Sequence, residues 1–389
     1  MRVVVSSTGG VGHVNPLIPL VHAMRDRGDD VLVVAAEPGV ARVRAAGIPV
    51  VEAGMPARAA QAELVARWPE VLTIPGPEKP TFIFPRLFGA IAAPHLHPAL
   101  RDAAREWRAD LLVHDAAELA APLVAAELGI PSACHSFGLA IPGWRVQLAA
   151  DFVEPLWHAA GLQPRPFGGC YDHLYIDVYP PSMQPDDLSH IGRIVRRRPE
   201  GDVALPAECL PEPLADDRAR DSRRRFVYVT FGTVHNRDPA FVAAVHGVAR
   251  LDATVLVTTG ADCDVGAFGE LPRHVHVHEY VAQRLVLPHA SAVVSHAGSG
   301  TVLATLGHGV PQLCVPRAAD QYRNAEAVDA AGAGLQIIDE VTPARVEDDV
   351  RRLLDDDTFR SSAARIAAEI ASMPSSEDVA VELESLVRR

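Results

Sequence analysis

Short apolar runs rich in β-branched residues recur along this chain, each followed by a loop and a stretch of helical periodicity. Residues 2–6, 31–35, 111–114 and 132–135 form one series, and residues 226–230, 254–258, 274–278, 292–295 and 312–315 form another. Runs this uniformly apolar are strands buried on both faces, as in a parallel sheet covered by helices on either side. The intervening segments agree. Leu17, Leu20, Val21 and Met24 keep helical spacing behind Pro16, and Gly28 ends that helix. Residues 119–128, 239–251, 324–331, 342–354 and 358–372 read as further helices. The fold class is α/β, and 389 residues in two such series suit two domains.

The division falls where apolar periodicity vanishes. Charge and proline rise over residues 195–225, which read as the region between the domains. The expected limits are 1–212 for the first domain, about 213–225 for a linker and 226–372 for the second. A last helix starts near Ser376. Two proline-bearing stretches, 69–85 and 138–185, read as long irregular loops, which in compact domains are usually functional or disordered. The second carries Trp144, Trp157, Phe167, Tyr171, Tyr175 and Tyr179.

Bulk chemistry excludes several classes. A net charge of −13 argues against a nucleic-acid partner, which needs a basic face. The five cysteines are far apart in sequence and form no C-x-x-C, so neither a zinc site nor a disulfide framework is expected. The N-terminus turns polar too soon for a signal sequence, and no stretch reaches about 18 apolar residues. A cytoplasmic protein without a membrane span is expected. Lys79 is the sole lysine and sits in a proline-rich loop, so Schiff-base and Walker-type chemistry lack their lysine.

The densest chemistry lies in residues 293–324, VVSHAGSGTVLATLGHGVPQLCVPRAADQYRN. A strand enters a His-x-Gly-x-Gly-Thr turn that opens a helix. Such a turn brings backbone N–H groups and the positive end of a helix to an anion, and His296 adds a donor. Asp320 and Gln321, on the next strand-to-helix loop, suit the hydroxyls of a sugar. Together they describe a nucleotide-sugar site. A second glycine-rich loop, Gly9-Gly10-Val11-Gly12-His13-Val14-Asn15, follows the first strand. It lacks the spacing of a dinucleotide fingerprint, because position 15 is Asn. His13 at the helix entrance can serve as a general base, or it can cap the helix or pack in the core.

These blocks resemble the donor signature of nucleotide-sugar glycosyltransferases with two Rossmann-like domains, closest to the bacterial enzymes that glycosylate antibiotics and other natural products. The resemblance spans nearly the whole chain through four or five diagnostic blocks. It implies the GT-B fold, two parallel-sheet domains facing across a cleft, and a C-terminal helix at 373–389 crossing back to the first domain. It implies His13 as catalytic base, with Asp115 at the end of its strand fixing the imidazole; Asp115 can equally cap the helix that follows. It assigns Gly232, Thr233, His296, Gly298, Ser299, Gly300 and Thr301 to the donor diphosphate, Tyr280 and Val281 to the base, and Asp320 and Gln321 to the sugar. Asn324 is a weaker candidate for the phosphates. Ala282 stands where relatives carry Pro. Trp144 and Phe137 are candidates for the acceptor.

Plant-type relatives carry His-Cys-Gly-Trp-Asn-Ser at the turn and a ribose-holding Glu in the helix. Here Ser299 replaces that Trp and Ala304 that Glu, which favours a thymidine over a uridine nucleotide. No Asp-x-Asp pair follows a donor-half strand; Asp262-Cys263-Asp264 lies in a polar loop, so no metal and no cofactor beyond the co-substrate is expected. The expected activity is inverting, metal-independent sugar transfer from a dTDP or UDP donor to a small apolar acceptor. A nucleotide-sugar isomerase on the same plan, or a non-catalytic partner protein, would share the fold but need no acceptor. A homodimer stays open.

Overall fold

The structure, a computed structural model, describes residues 1–185, 187–200, 210–211, 224–232, 236–261 and 263–388. It divides into two compact units. One comprises Met1–Tyr179, Gln184–Val203 and Met373–Arg389; the other comprises Pro180–Met183 and Ala204–Ser372. The linker read at 213–225 lies outside the described residues except for Arg224 and Arg225.

The first unit is built on β1 (Arg2–Ser7), β2 (Asp30–Ala35), β3 (Val50–Glu52), β4 (Leu111–Asp115), β5 (Ser132–His135), β6 (Leu174–Asp177) and β7 (Ile194–Arg196). They form one parallel sheet in the order β3-β2-β1-β4-β5-β6-β7. Both faces are covered, as uniformly apolar strands require. Val4, Leu32, Val34 and Leu112 pack into one core, and Val3, Val5, Val31, Val33, Leu111 and Val113 into the other.

The second core also takes Val379, Ala380 and Leu383 of the terminal helix Ser376–Val387. A capping box between Ser375 and Asp378 starts that helix, and Arg27 pairs with Glu384 at 2.6 Å. The buried Arg197 donates to Ser376 Oγ at 2.8 Å and to the Pro16 carbonyl at 2.7 Å. Burial pulls its guanidinium down to about 10.

The second unit repeats the plan with β8 (Phe226–Thr230), β9 (Thr254–Thr258), β10 (Val275–His278), β11 (Ala292–Ser295), β12 (Gln312–Cys314) and β13 (Gly334–Gln336). Their order is β10-β9-β8-β11-β12-β13, again parallel.

Both sheets reverse direction of winding beside their first strand, between β1 and β4 and between β8 and β11. In an open parallel sheet, loops leaving the carboxyl ends on either side of such a point diverge and leave a crevice for ligands.

The two stretches read as irregular are largely ordered. Residues 143–159 form the 17-residue helix Gly143–Ala159 despite Pro155 in its interior. Val146, Ala149, Ala150, Val153 and Trp157 are buried along one face, and this packing outweighs the hydrogen bond that proline removes. In the earlier stretch, Lys79–Phe84 is a helix that runs into a π-helical turn at Pro85–Ala92. Trp157, Tyr171, Tyr175 and Tyr179 are buried and belong to the core; Trp144 is 53% exposed.

Candidate active site

In the first unit the loop after β1 and the end of β4 meet at the switch point. Helix Val11–Val14 presents His13, whose Nδ1 lies 3.1 Å from Asp115 Oδ1, while Asp115 is the last residue of β4. The carboxylate is almost wholly buried; the His13 side chain is about one-fifth exposed. Asp115 Oδ2 accepts from Ser7 Oγ at 2.8 Å and from the Thr8 N–H at 2.9 Å, and Oδ1 accepts from the Ala117 N–H at 2.8 Å. Burial pushes this carboxyl up, but His13 and the N–H donors of Thr8 and Ala117 outweigh it and hold it down at about 2. It is an anion at neutral pH, aimed at one nitrogen of an imidazole. It also accepts from the backbone of the turn just after β4, but it does not cap the following helix, which starts only at Ala121 and whose first N–H groups donate to Glu118.

Aromatic rings enclose the imidazole. Phe137 lies 4.1 Å from it, centroid to centroid, and Phe88 lies 5.6 Å away. Phe84 backs Phe88 at 5.1 Å. Below the pair, Glu118 accepts from Ser6 Oγ and from the Ala120 and Ala121 N–H groups. Burial raises its carboxyl to about 7 against those donors. Neighbouring His114 is buried in the strand, and its Nδ1 donates to the Asp115 carbonyl, 3.0 Å away.

The second unit places the donor-type residues at its own switch point. His296 and Gly298 lie between β11 and the helix Ser299–Gly307, with Ala297 at a φ of 62°. Among the described residues no side chain caps this helix, and the N–H groups of a helix's first turn, here at Ser299, Gly300 and Thr301, have no partner within the helix. The His296 ring sits against two glycines. A Cβ on Gly232 would come within 3.0 Å of its Cε1, and one on Gly298 within 2.7 Å of its Nε2. Thr301 Oγ1 accepts from Gln283 Nε2 at 3.1 Å. Tyr280 is 60% exposed, not a core aromatic, while Val281 beside it is buried.

Ser299 Oγ donates to Asp320 Oδ2 at 2.6 Å. Gln321 Oε1 accepts from the Arg317 and Ala318 N–H groups, bracing the loop before it. Thr233 and Asp262 lie outside the described residues. Asp264 Oδ1 caps the turn Val265–Phe268 through the Gly266 N–H.

Residues 22–198 match the N-terminal domain, and residues 243–386 the C-terminal domain, of the erythromycin biosynthesis protein CIII-like family. The elloramycin glycosyltransferase ElmGT of Streptomyces olivaceus is 33% identical across 99% of this chain and 97% of its own length. The chain belongs to this family of bacterial natural-product glycosyltransferases.

Solved glycosyltransferases share its architecture. VinC in complex with dTDP superposes with a TM-score of 0.80 at 26% identity, covering 100% of both chains. SsfS6 from Streptomyces sp. SF2575, complexed with thymidine diphosphate, gives a TM-score of 0.78 at 27% identity over 99% of this chain and 100% of its own. The two parallel-sheet units are those of a GT-B enzyme. No helix among the described residues of this glycosyltransferase is long and apolar enough to cross a membrane.

Residue patterns did not disclose every participant. Ser7 and Thr8 carry a signal only in hindsight, as polar residues at the carboxyl end of an otherwise apolar strand. Phe88 gave none, because its position depends on the π-helical turn that carries it.

Proposed function

We propose that this glycosyltransferase moves a sugar from a thymidine diphosphate sugar to a hydroxyl of a small apolar acceptor, inverting the anomeric centre without a metal. The observation that carries the reading is the His13–Asp115 pair. With Nδ1–H donated to Asp115, the imidazole carries its lone pair on Nε2, the nitrogen that takes the acceptor proton. The acceptor oxygen then bonds to the anomeric carbon as the bond to the diphosphate oxygen breaks on the opposite face. Asp115 stabilises the imidazolium. The departing diphosphate keeps the electron pair and is held by the Ser299–Thr301 amides, the positive helix end and His296. Phe88 and Phe137 against His13, with Phe84 behind Phe88, suit an apolar or aromatic acceptor bound on the first unit, with the exposed Trp144 a further candidate contact. Donor-dependent product formation across a panel of phenolic and polyketide alcohols tests the reading. Donor turnover without an acceptor-linked product, such as isomerisation of the nucleotide sugar, would overturn it.

A helix start without a side-chain cap and a neighbouring imidazole supply donors for the leaving group from the protein itself. Turnover is therefore expected to survive excess EDTA. Complete loss that Mg²⁺ restores would show that a cation completes the site.

The nucleotide preference follows from Ala304, where plant-type relatives carry the ribose-binding Glu. An alanine side chain accepts no hydrogen bond, so a 2′-hydroxyl gains little there. One hydrogen bond is worth roughly 0.5–1.5 kcal/mol, up to about tenfold in affinity. Thymidine diphosphate is expected to bind at least as tightly as uridine diphosphate, in keeping with the thymidine diphosphate complexes of VinC and SsfS6. Competition calorimetry of the two free diphosphates decides it. A preference for the uridine compound beyond about tenfold would place 2′-hydroxyl recognition on another residue.

A further inference from the structure

Asn324 sits in the first turn of the helix Gln321–Ala330 with no exposed surface. Its Nδ2 lies 2.9 Å from the Ala297 carbonyl, 3.0 Å from Ser299 Oγ and 2.9 Å from Asp320 Oδ2. Those three acceptors belong to two different strand-to-helix loops. Ala297 and Ser299 flank the turn after β11, and Asp320 ends the loop after β12. Ala297 holds a left-handed φ of 62°, which costs energy for any residue with a Cβ and persists only where its surroundings fix it. A buried amide bonded to its carbonyl is such a constraint. One oxygen of Asp320 receives both Asn324 Nδ2 and Ser299 Oγ, so the carboxylate's orientation is set by the same small network.

The geometry points to Asn324 as a positioning residue that ties the diphosphate turn to the sugar-side carboxylate, so that both ends of the donor are gripped in one fixed relation. It does not touch the donor; it acts through Ala297, Ser299 and Asp320. The inference rests on the reading of Asp320 as a sugar ligand and of the His296–Thr301 turn as the diphosphate site. A buried amide with this role differs from general core packing in a specific way: its loss is felt by the sugar diphosphate and not by ligands that stop short of the turn.

The test is a double-mutant cycle on the full chain with a thymidine diphosphate sugar, alongside binding of thymidine as a probe that lacks phosphates and sugar. Asn324→Ala is expected to lower kcat/KM roughly 10²-fold, the scale of a misplaced reacting group, while thymidine affinity stays within about twofold. Asn324→Ala added to Asp320→Ala is expected to cost clearly less than the product of the two single losses, because Asn324 acts in part through Asp320. Multiplicative losses in the double mutant would overturn the positioning role, as would a parallel fall in thymidine affinity, the mark of a merely loosened domain. If Asn324→Ala does not fold, Asn324→Ser and Ser299→Ala enter the same cycle, since each weakens the network while changing less of the core. Asp320→Ala that leaves turnover unchanged would instead sink the sugar-site reading, and this inference with it.

Discussion

Replacing His13 by alanine is expected to cut turnover by roughly 10²–10⁴-fold while nucleoside diphosphate affinity stays within about twofold. The separation of effects is the informative part. His13 belongs to the first unit, and the candidate donor residues Gly232, His296, Ser299 and Asp320 belong to the second. A general base contributes to the chemical step and not to diphosphate affinity, so kcat should fall with donor binding intact. Asp115→Asn should move the same way by less. It keeps the shape, but it loses the charge that orients and stabilises the imidazolium, and its NH₂ would confront one of the donors now facing the carboxylate, Ser7 Oγ, Thr8 N–H or Ala117 N–H. Steady-state kinetics with a simple alcohol acceptor, plus calorimetry of the free diphosphate, measures both quantities. A loss in His13→Ala below about tenfold would remove the base assignment.

Gly9→Ala is expected to destabilise the chain by roughly 2–5 kcal/mol and to abolish most activity. Gly9 has a φ of 88°, and a Cβ there would lie 2.3 Å from the Ala36 carbonyl oxygen. The obstacle is backbone at the end of a buried strand, so it has no rotamer through which to yield. Two other glycines of the same loop behave differently. A Cβ on Gly10 would meet His13 Cδ2 at 2.9 Å and displace that ring, an effect on rate more than on stability. A Cβ on Gly12 meets nothing within 4 Å inside a helical turn, so Gly12→Ala should be neutral or stabilising by up to about 1 kcal/mol. Chemical unfolding of the three variants checks the ranking. Equal stability of Gly9→Ala and Gly12→Ala would show that the loop is not held as described.

The glycine ranking illustrates what a residue pattern leaves out. Gly9-Gly10-Val11-Gly12-His13 marks a tight strand-to-helix turn, but the motif treats its glycines alike. Only the approach of Ala36, the residue after the neighbouring β2, separates the one that is obligatory from the one that is not. The helix Gly143–Ala159 makes the same point at larger scale. Pro155 and neighbouring prolines break the helical signal over residues 138–185, yet burial of Val146, Val153 and Trp157 against the first unit's core carries the helix through. Gln321 teaches a third version. Its pairing with Asp320 suggests two equivalent sugar ligands, but its side-chain oxygen is taken by the Arg317 and Ala318 amides, so the two residues of the pair are not equivalent.

By itself the sequence determined the local events. Apolar runs state that a segment is buried, and nine runs read this way correspond to nine of the thirteen strands among the described residues, although the histidine-bearing run at 274–278 is the partly buried edge strand β10. Polar residues at the ends of those runs state where loops leave the sheet, which located His13, Asp115, His296 and Asp320 at carboxyl edges. Tertiary structure decided which of them meet. His13 and Asp115 are 102 positions apart and come to 3.1 Å only because β4, not β2, lies on the side of β1 where the winding reverses. Asn324 came to bridge two loops only because β12 pairs with β11 in parallel and aligns their carboxyl ends. Hydrophobic periodicity is a property of one segment and its burial. A hydrogen bond between loops depends on strand order and on angles of a few degrees, which no single segment encodes.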